Sequence, residues 1–417
     1  MAAPRLSLVR RRLPPALQHR EFALLWSSSL ATGLASQMLA VAIGWQVYAI
    51  HRNPLDLGLV GLAEFVPLPL LALPAGQLAD RVSRRVVSAA AIVIHVVIAG
   101  VLVAITLAGA HVLWPFLTVG LLAGIASAVG NPALRALTPE IVPIDLLQGA
   151  VALRSVAGQI GVVAGPAIGG IVFAVEPVAV YVAAAALFGI SFSAILALRP
   201  RAAPLLDQPP PDWESLVAGV HFILRTRMLL GAISLDLVAV LLGDSIALAP
   251  VFARTILHAG PIGLGALRTA PSVGALVAGI ILARKPLQTR AGPTLFVVVG
   301  VFGAAMIVFG LSKWLPLSLA ALAVSGFADM ISMNIRATTL TLVTPMELQG
   351  RVNAVEWVFI GASNELGAFE SGAVASLIGT VQAVVLGGGL MMSVAATWPR
   401  LFPALSRLGR LEELQPA

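Results

Sequence analysis

A set of ionisable side chains lies inside stretches too apolar to meet water: Glu64, Asp236, Asp244, Arg268, Asp329, Arg336, Glu356, Glu365 and Glu370. Charge in such surroundings is costly to keep, and it marks an ion or substrate pathway by default. The chemistry open to this set is proton exchange and charge pairing. Glu64, Asp244 and Glu365 are the candidates for protonation, because a carboxyl removed from water favours its neutral form. Asp329 and Arg336 are seven residues apart, nearly two helical turns, so they share a face about 10 Å apart along the axis. Arg336 matches Glu356 in depth, which predicts a charge pair between their helices, and Arg268 matches Asp244 in the same way. Static glue between helices is an equally good reading of these pairs. Asn364 joins them as a substrate-cavity candidate. Asp236, Asp329 and Glu365 favour cationic or neutral ligands, whereas Arg268 and Arg336 could hold an anion. His95 is expected to pack or to be solvated.

Other chemistry finds little support. The chain has no cysteine, which excludes disulfides and thiolate metal sites, and its six histidines are scattered. There is no Ser–His–Asp set and no metal cluster, so neither an enzyme nor a cofactor is expected. The net charge of +7 resembles a nucleic-acid footprint until the positions are read. They follow membrane topology instead, and nucleic acid is discarded as a partner.

The elements that must position these residues are membrane helices. Of the 417 residues, 59% are hydrophobic and 11% are charged, with a mean hydropathy of +0.96; soluble domains carry roughly 25% charged residues. Apolar runs long enough to cross a bilayer occur at about 22–49, 57–79, 86–108, 113–137, 147–175 and 178–198. A second set follows at 229–255, 261–283, 292–311, 315–343, 352–380 and 381–400. Runs of this length satisfy their backbone in lipid as helices. The expected fold is all-α and integral to the membrane, twelve spans in two six-helix halves at 22–198 and 229–400. A basic segment at 1–21, a linker at 199–228 and a tail at 401–417 complete the chain. The first span runs for roughly 28 apolar residues, longer than the apolar region of a signal peptide, and is read as retained.

With residue 1 inside, all 26 Lys and Arg residues except Arg52, Arg254, Arg268 and Lys313 fall at the cytoplasmic face. That bias places both termini in the cytoplasm, with the chain in the plasma (inner) membrane and the lipid bilayer as its first partner. In the linker, Pro209-Pro210-Pro211 is a semi-rigid spacer, and the stretch from Trp213 to Arg225 reads as an amphipathic helix on the inner membrane surface. An echo relates the halves: Thr138-Pro139 precedes Leu147-Gln148-Gly149, and Thr344-Pro345 precedes Leu348-Gln349-Gly350. Repeated halves suit a transporter that rocks about a central site.

Two motifs carry mechanism. Gly76-Gln77-Leu78-Ala79-Asp80-Arg81-Val82-Ser83-Arg84-Arg85 joins spans two and three; Asp80 could meet the positive end of the eleventh helix across the two halves. Arg81, Arg84 and Arg85 also anchor topology. In span five, Gly161, Gly165, Pro166, Gly169 and Gly170 form a G-x-x-x-G-P-x-x-G-G pattern, a helix that packs closely through small residues and bends at proline. The loop block resembles the loop 2–3 signature of the major facilitator superfamily, and the span-five pattern resembles the antiporter motif of its exporters. The whole chain is similar to that superfamily, with a closer likeness to its enterobactin-exporter-like branch of drug and siderophore efflux proteins. Thr138-Pro139-Glu140, the linker helix and Gly350-Arg351-Val352-Asn353 belong to that likeness.

What the resemblance implies is a conformational latch at Gly76, Asp80, Arg81, Arg84 and Arg85, and a small-molecule substrate held between the halves. It also implies alternating access, proton antiport and a monomer. Many proton-linked drug exporters carry an arginine midway along helix four; Leu117 to Asn131 contains none, which moves the coupling role to the buried acids. The alternatives are an importer or facilitator of a specific metabolite and, from another class, a membrane enzyme or a non-transporting receptor.

Overall fold

The computed structural model describes residues 14–71, 74, 82–109, 112–199, 213–243, 245–285 and 290–410. Helices dominate them: α1 (Arg20–His51), α2 (Pro54–Phe65, running on to Leu71), α3 (Arg84–Leu107), α4 (Trp114–Ile141), α5 (Leu147–Val175) and α6 (Pro177–Leu196) make one half. The second half holds α7 (Arg227–Gly243), α8 (Gly260–Arg284), α9 (Ala291–Leu311), α10 (Leu315–Val343), α11 (Met346–Ile378) and α12 (Thr380–Leu401). The helix starts are written locally. Helices α2, α4, α6, α8 and α10 each open with proline in the first turn, where the missing N–H has no partner to lose. Asn53 caps α2 by accepting from Leu55 N at 3.0 Å, and Glu176 accepts from Val178 N at the start of α6.

Among the described residues, 11 helices are long and apolar enough to cross a membrane. The expected span at 352–380 is helix α11, which has 33 residues and is long enough to cross at 1.5 Å per residue. Glu347, Arg351, Glu356, Glu365 and Glu370 make it too polar to qualify by composition. Its packing against α2, α7 and α12 places it in the bundle with the other spans. The expected continuous span at 229–255 is interrupted. After Gly243 the chain passes through a 3-10 turn (Ile246–Leu248), a short α-turn (Ala249–Val251) and a π-turn (Phe252–Ile256). Pro250 in this stretch has no N–H to offer the regular ladder.

Helix neighbours repeat between the halves. In the first, α1 packs on α5 and α6, α3 on α4 and α6, and α2 on α4. In the second, α7 packs on α11 and α12, α9 on α10 and α12, and α8 on α10. Each pair recurs six helices later, which is what a duplicated unit gives. The halves meet through α2 against α11 and α5 against α8, themselves a matched pair. The linker helix, Trp213–Arg225, docks on α11 and α7. Its buried Ile223 joins Leu229, Leu340, Val343, Val352 and Val355, so part of its apolar surface is covered by protein where the sequence pointed to lipid.

Candidate functional site

The site grows out of two glycine crossings. On α2 and α8 the pattern Pro-x-x-x-Gly places Gly58 and Gly265 one turn after Pro54 and Pro261. A Cβ built on Gly265 would lie 2.5 Å from Pro166 O and 3.2 Å from Gly170 Cα, and one on Gly170 would lie 2.6 Å from Pro261 O. The other crossing repeats this. A Cβ on Gly372 would lie 2.8 Å from Pro54 O and 3.0 Å from Gly58 Cα, and one on Gly58 would lie 3.0 Å from Phe369 O. Backbone therefore touches backbone at both joints, as small residues permit in membrane bundles. Both crossings lie toward the end of the bundle opposite the linker. There the irregular stretch after α7 also meets α1, with Pro250 under Gly44 and the Arg254 guanidinium 5.0 Å from the Trp45 ring centroid, a cation–π contact.

The span-five pattern serves two faces. Gly161, Gly165 and Gly169 turn toward α1, where a Cβ would lie 2.9 Å from Gly33 C, 2.5 Å from Gln37 Cβ and 2.8 Å from Met38 Cα respectively. Gly170 turns toward α8. Pro166 lies inside the helix, and its carbonyl is the atom that Gly265 approaches.

Beneath the crossings, a cavity of about 390 Å³ opens in the first half, lined by residues of α1, α2, α3, α4 and α6 and closed by α8 and α11. Glu64 from α2, Arg268 from α8 and Glu365 from α11 all line it, and they interact electrostatically. Two structural details position the acids. Gly61 lies against α11 beside the Glu365 carboxyl, where a Cβ would come 3.2 Å from Ala368 Cβ and 3.4 Å from Glu365 Oε2. Gly124 of α4 admits the Glu64 backbone carbonyl into space that a side chain would fill. Just beyond Glu64 the hydrogen-bond ladder of α2 skips at Val66, before Pro67 and Pro69, which have no N–H to offer it, and the helix runs on to Leu71. His95 also lines this cavity, edge-on to Phe188 at 5.0 Å, and its Nδ1 is buried without a hydrogen-bond partner.

A second cavity, of about 260 Å³, lies in the second half between α7, α8, α9, α10, α11 and α12. Arg268 lines this one too, with Asp329, Arg336 and Asn364. Arg336 is buried, at 9% exposure; it forms an ion pair with Asp236 of α7, and its Nη2 lies 3.9 Å from Asp329 Oδ1. The expected Arg336–Glu356 pair is therefore corrected: Asp236 is the bonded partner, and Glu356 stands in the same electrostatic cluster behind it. Equal depth along the chain does not reveal which side of a helix faces a neighbour, and it is α7 that presents the partner. The length of the arginine side chain closes most of the axial gap to Asp329. Glu370 lines a small gap between α7, α11 and α12, apart from both cavities.

Part of the expected site falls elsewhere. Gly76, Asp80, Arg81 and Asp244 lie outside the described residues, so the Arg268–Asp244 pair has no described counterpart. Arg268 interacts with Glu64 and Glu365. Of the loop arginines, Arg84 pairs with Glu140 at 2.8 Å and donates to Ala136 O at 3.2 Å, while Arg85 donates to Leu196 O. Glu140 and Arg154, which donates to Thr138 Oγ1 at 3.0 Å, were not singled out as partners by sequence reasoning. A polar cluster of Gln46, Thr106 and Tyr181, with Tyr181 donating to Gln46 Oε1 at 2.8 Å, was missed as well. Only its intramembrane polarity could have signalled it.

Residues 13–408 match the model of the family described as transmembrane secretion effectors. The chain is 29% identical over 339 residues to the enterobactin exporter EntS of Shigella boydii serotype 18, covering 79% of this chain and 78% of that one. It is also 29% identical over 377 residues to EntS of Citrobacter koseri, covering 88% and 87%. Among solved structures, a bacterial homologue of the lysosomal transporter Spinster, inward-facing and occupied, superposes with a TM-score of 0.72 at 14% identity, covering 93% of this chain and 97% of that one. The nucleoside transporter NupG gives 0.70 at 17% identity, covering 93% and 99%. These likenesses show the fold, and it is that of the major facilitator transporters. The matched helix pairs, the glycine crossings and a family match running nearly the length of the chain come together in one assignment: this is a multi-pass membrane protein of the transmembrane secretion effector family, a secondary transporter and not an enzyme.

Proposed function

We propose that the protein exports amphipathic small molecules, of the kind handled by drug and siderophore exporters, in exchange for protons. One observation carries this reading: Glu64, Arg268 and Glu365, from α2, α8 and α11, line a single cavity where the halves meet. Two carboxylates that share one guanidinium leave one negative charge to be met by a proton or by a cationic group. A site of this kind can be emptied of one and filled with the other. Since α2 belongs to one half while α8 and α11 belong to the other, occupancy biases how the halves sit, and rocking then alternates access.

The EntS relatives favour export over the importer or facilitator alternative, as does the span-five glycine pattern. The Lys and Arg distribution supports cytoplasmic termini and a plasma (inner) membrane location. With that orientation the glycine crossings close the external end, which is the inward-facing arrangement. Gly76, Asp80, Arg81, Arg84 and Arg85 act as the cytoplasmic latch, with Arg84 held by Glu140, and the unit is a monomer.

The test is transport into everted membrane vesicles with an acid lumen, using a panel of lipophilic cations, siderophores and neutral amphiphiles. Accumulation that collapses with an uncoupler, and that Glu365→Gln abolishes at unchanged protein level, is the expected result. Accumulation indifferent to the proton gradient, or unchanged in Glu365→Gln, would overturn it.

A further inference from the structure

Resting on the reading of the first-half cavity as the place where the ligand sits, we infer that His95 is a specificity-determining residue of that cavity, donating a hydrogen bond to a carbonyl-type oxygen of the transported molecule. Helix α3 is otherwise hydrocarbon through its middle. Val93, Val97 and Val101 stand exposed on its outer side, and Ala91, Ile98 and Leu102 are buried on the inner one. His95 falls with the second set, about one turn from Ala91 and Ile98, and lines the cavity together with Ile98. A Cβ built on Gly130 of α4 would lie 2.6 Å from Ala91 Cβ, so close packing one turn away fixes the rotation of this face.

An imidazole in that position is costly unless something meets it. Its ring stands edge-on to Phe188, with 5.0 Å between centroids, and Nδ1 is enclosed with no hydrogen-bond partner among the described residues. Leucine or phenylalanine would fill such a place without leaving a polar atom unpaired. In the neutral ring one nitrogen carries the proton and the other a lone pair. An enclosed N–H without an acceptor is the costlier orphan, which assigns the lone pair to Nδ1 and the proton to Nε2. The imidazole then offers the cavity a donor, and the matching ligand group is an acceptor oxygen: a ketone, ester or amide carbonyl. A site built around such a bond discriminates against an analogue that lacks the partner atom.

The first half supplies further neutral polar groups: Ser36 and Gln37 of α1 and Ser127 of α4 line the same cavity. Its ionisable residues Glu64, Arg268 and Glu365 come from α2, α8 and α11 and interact with one another. Recognition at His95 needs no charge on any of them. The cavity therefore divides its work, with α2, α8 and α11 meeting charge while α1, α3 and α4 read the uncharged polar groups of the molecule.

The experiment is equilibrium binding to the purified full chain in detergent, with benzophenone and 1,1-diphenylethylene as probes. They share one shape and carry no charge, and only the first has an acceptor oxygen. The readout is the ratio of their affinities, compared between variants so that partition into detergent cancels. The wild type is expected to favour benzophenone about fivefold more than His95→Leu does, the size of one hydrogen bond. His95→Gln keeps an N–H at similar reach and is expected to restore most of the preference. Because Nδ1 has no partner to lose, His95→Leu is expected to melt no lower than the wild type. Equal ratios in the wild type and His95→Leu, or no saturable binding of benzophenone to the wild type, would overturn the inference. So would a preference lost alike in His95→Leu and His95→Gln with both melting lower, since that is loss of packing. The probes bind without a proton gradient, which separates the two proposals. The preference in a protein whose transport ignores the gradient sinks the exporter reading alone, and proton-driven transport without the preference sinks this inference alone.

Discussion

The two joints between the halves are near copies, and the residues just beneath them are not. Pro54, Gly58 and Gly372 at one joint stand where Pro261, Gly265 and Gly170 stand at the other, with the same atoms in contact. Counting along each helix from these glycines, Glu365 takes the place that Val163 has in α5. Arg268 takes the place of Gly61 in α2, and Glu64 that of Pro271 in α8. Even the support is shared, because Gly124 admits the Glu64 carbonyl as Gly326 admits that of Pro271. The duplicated scaffold therefore consists of small residues and prolines that fix how closely backbones approach. The chemistry is laid over it in single copy. Ionisable groups were free to diverge because they stand about one turn or more beyond the crossing glycines, where side-chain identity does not decide whether helices can meet.

If that division is right, exchanging a charged residue should remove function and leave the fold, and its counterpart should tolerate change. Glu365→Gln is expected to lower proton-driven transport at least a hundredfold in the vesicle assay, whereas Val163→Ala keeps it within about twofold. The next effect in size is structural. Arg336→Met strands Asp236 and Glu356 in a partly buried cluster; removal of one partner of a fully buried pair typically costs about 3–5 kcal/mol, which is the upper bound here. A lowered melting temperature checks this, and Asp236→Leu added to Arg336→Met should recover most of it. If the single and double variants melt alike, the pair is not holding α7 to α10.

The joints themselves can be ranked. Gly265→Ala puts a methyl 2.5 Å from Pro166 O, and Gly58→Ala puts one 3.0 Å from Phe369 O. Overpacking costs roughly 1–3 kcal/mol, so Gly265→Ala should melt lower than Gly58→Ala, by several degrees. Reversal of that order would contradict the contact geometry. The smallest effect belongs to the second contact at the closed end. Trp45→Leu removes a cation–π contact worth about 0.5–2 kcal/mol. It should lower the melting temperature by less than Gly265→Ala does; an unchanged melting temperature would mean that Arg254 and Trp45 do not hold that end shut.

Much of this architecture was legible in the residues. The expected spans 147–175 and 315–343 coincide with α5 and α10, because continuous apolar runs have few alternatives in lipid. The mobile chemistry was legible as a list, since an intramembrane carboxylate is conspicuous wherever it falls. Its pairing was not. A sequence gives the depth of a residue along its helix but not the direction it faces around the axis. Arg336 was accordingly matched to Glu356 at equal depth, when Asp236 faces it more closely. The meeting of Glu64 with Arg268 and Glu365 depends on α2 crossing α11, and that crossing is set by glycines whose role appears only when backbones are seen in contact. Helix α11 shows the converse difficulty: the residues that make it functional are those that hide it from a test of hydropathy.

The most direct test of the account is proton release from the purified protein in weakly buffered detergent, when tetraphenylphosphonium is added at neutral pH. The account predicts a release that saturates with binding and disappears in Glu64→Gln/Glu365→Gln, while Val163→Ala releases as the wild type does. Saturable binding with no proton release from the wild-type protein would contradict it, and would separate the buried carboxylates from the transport cycle.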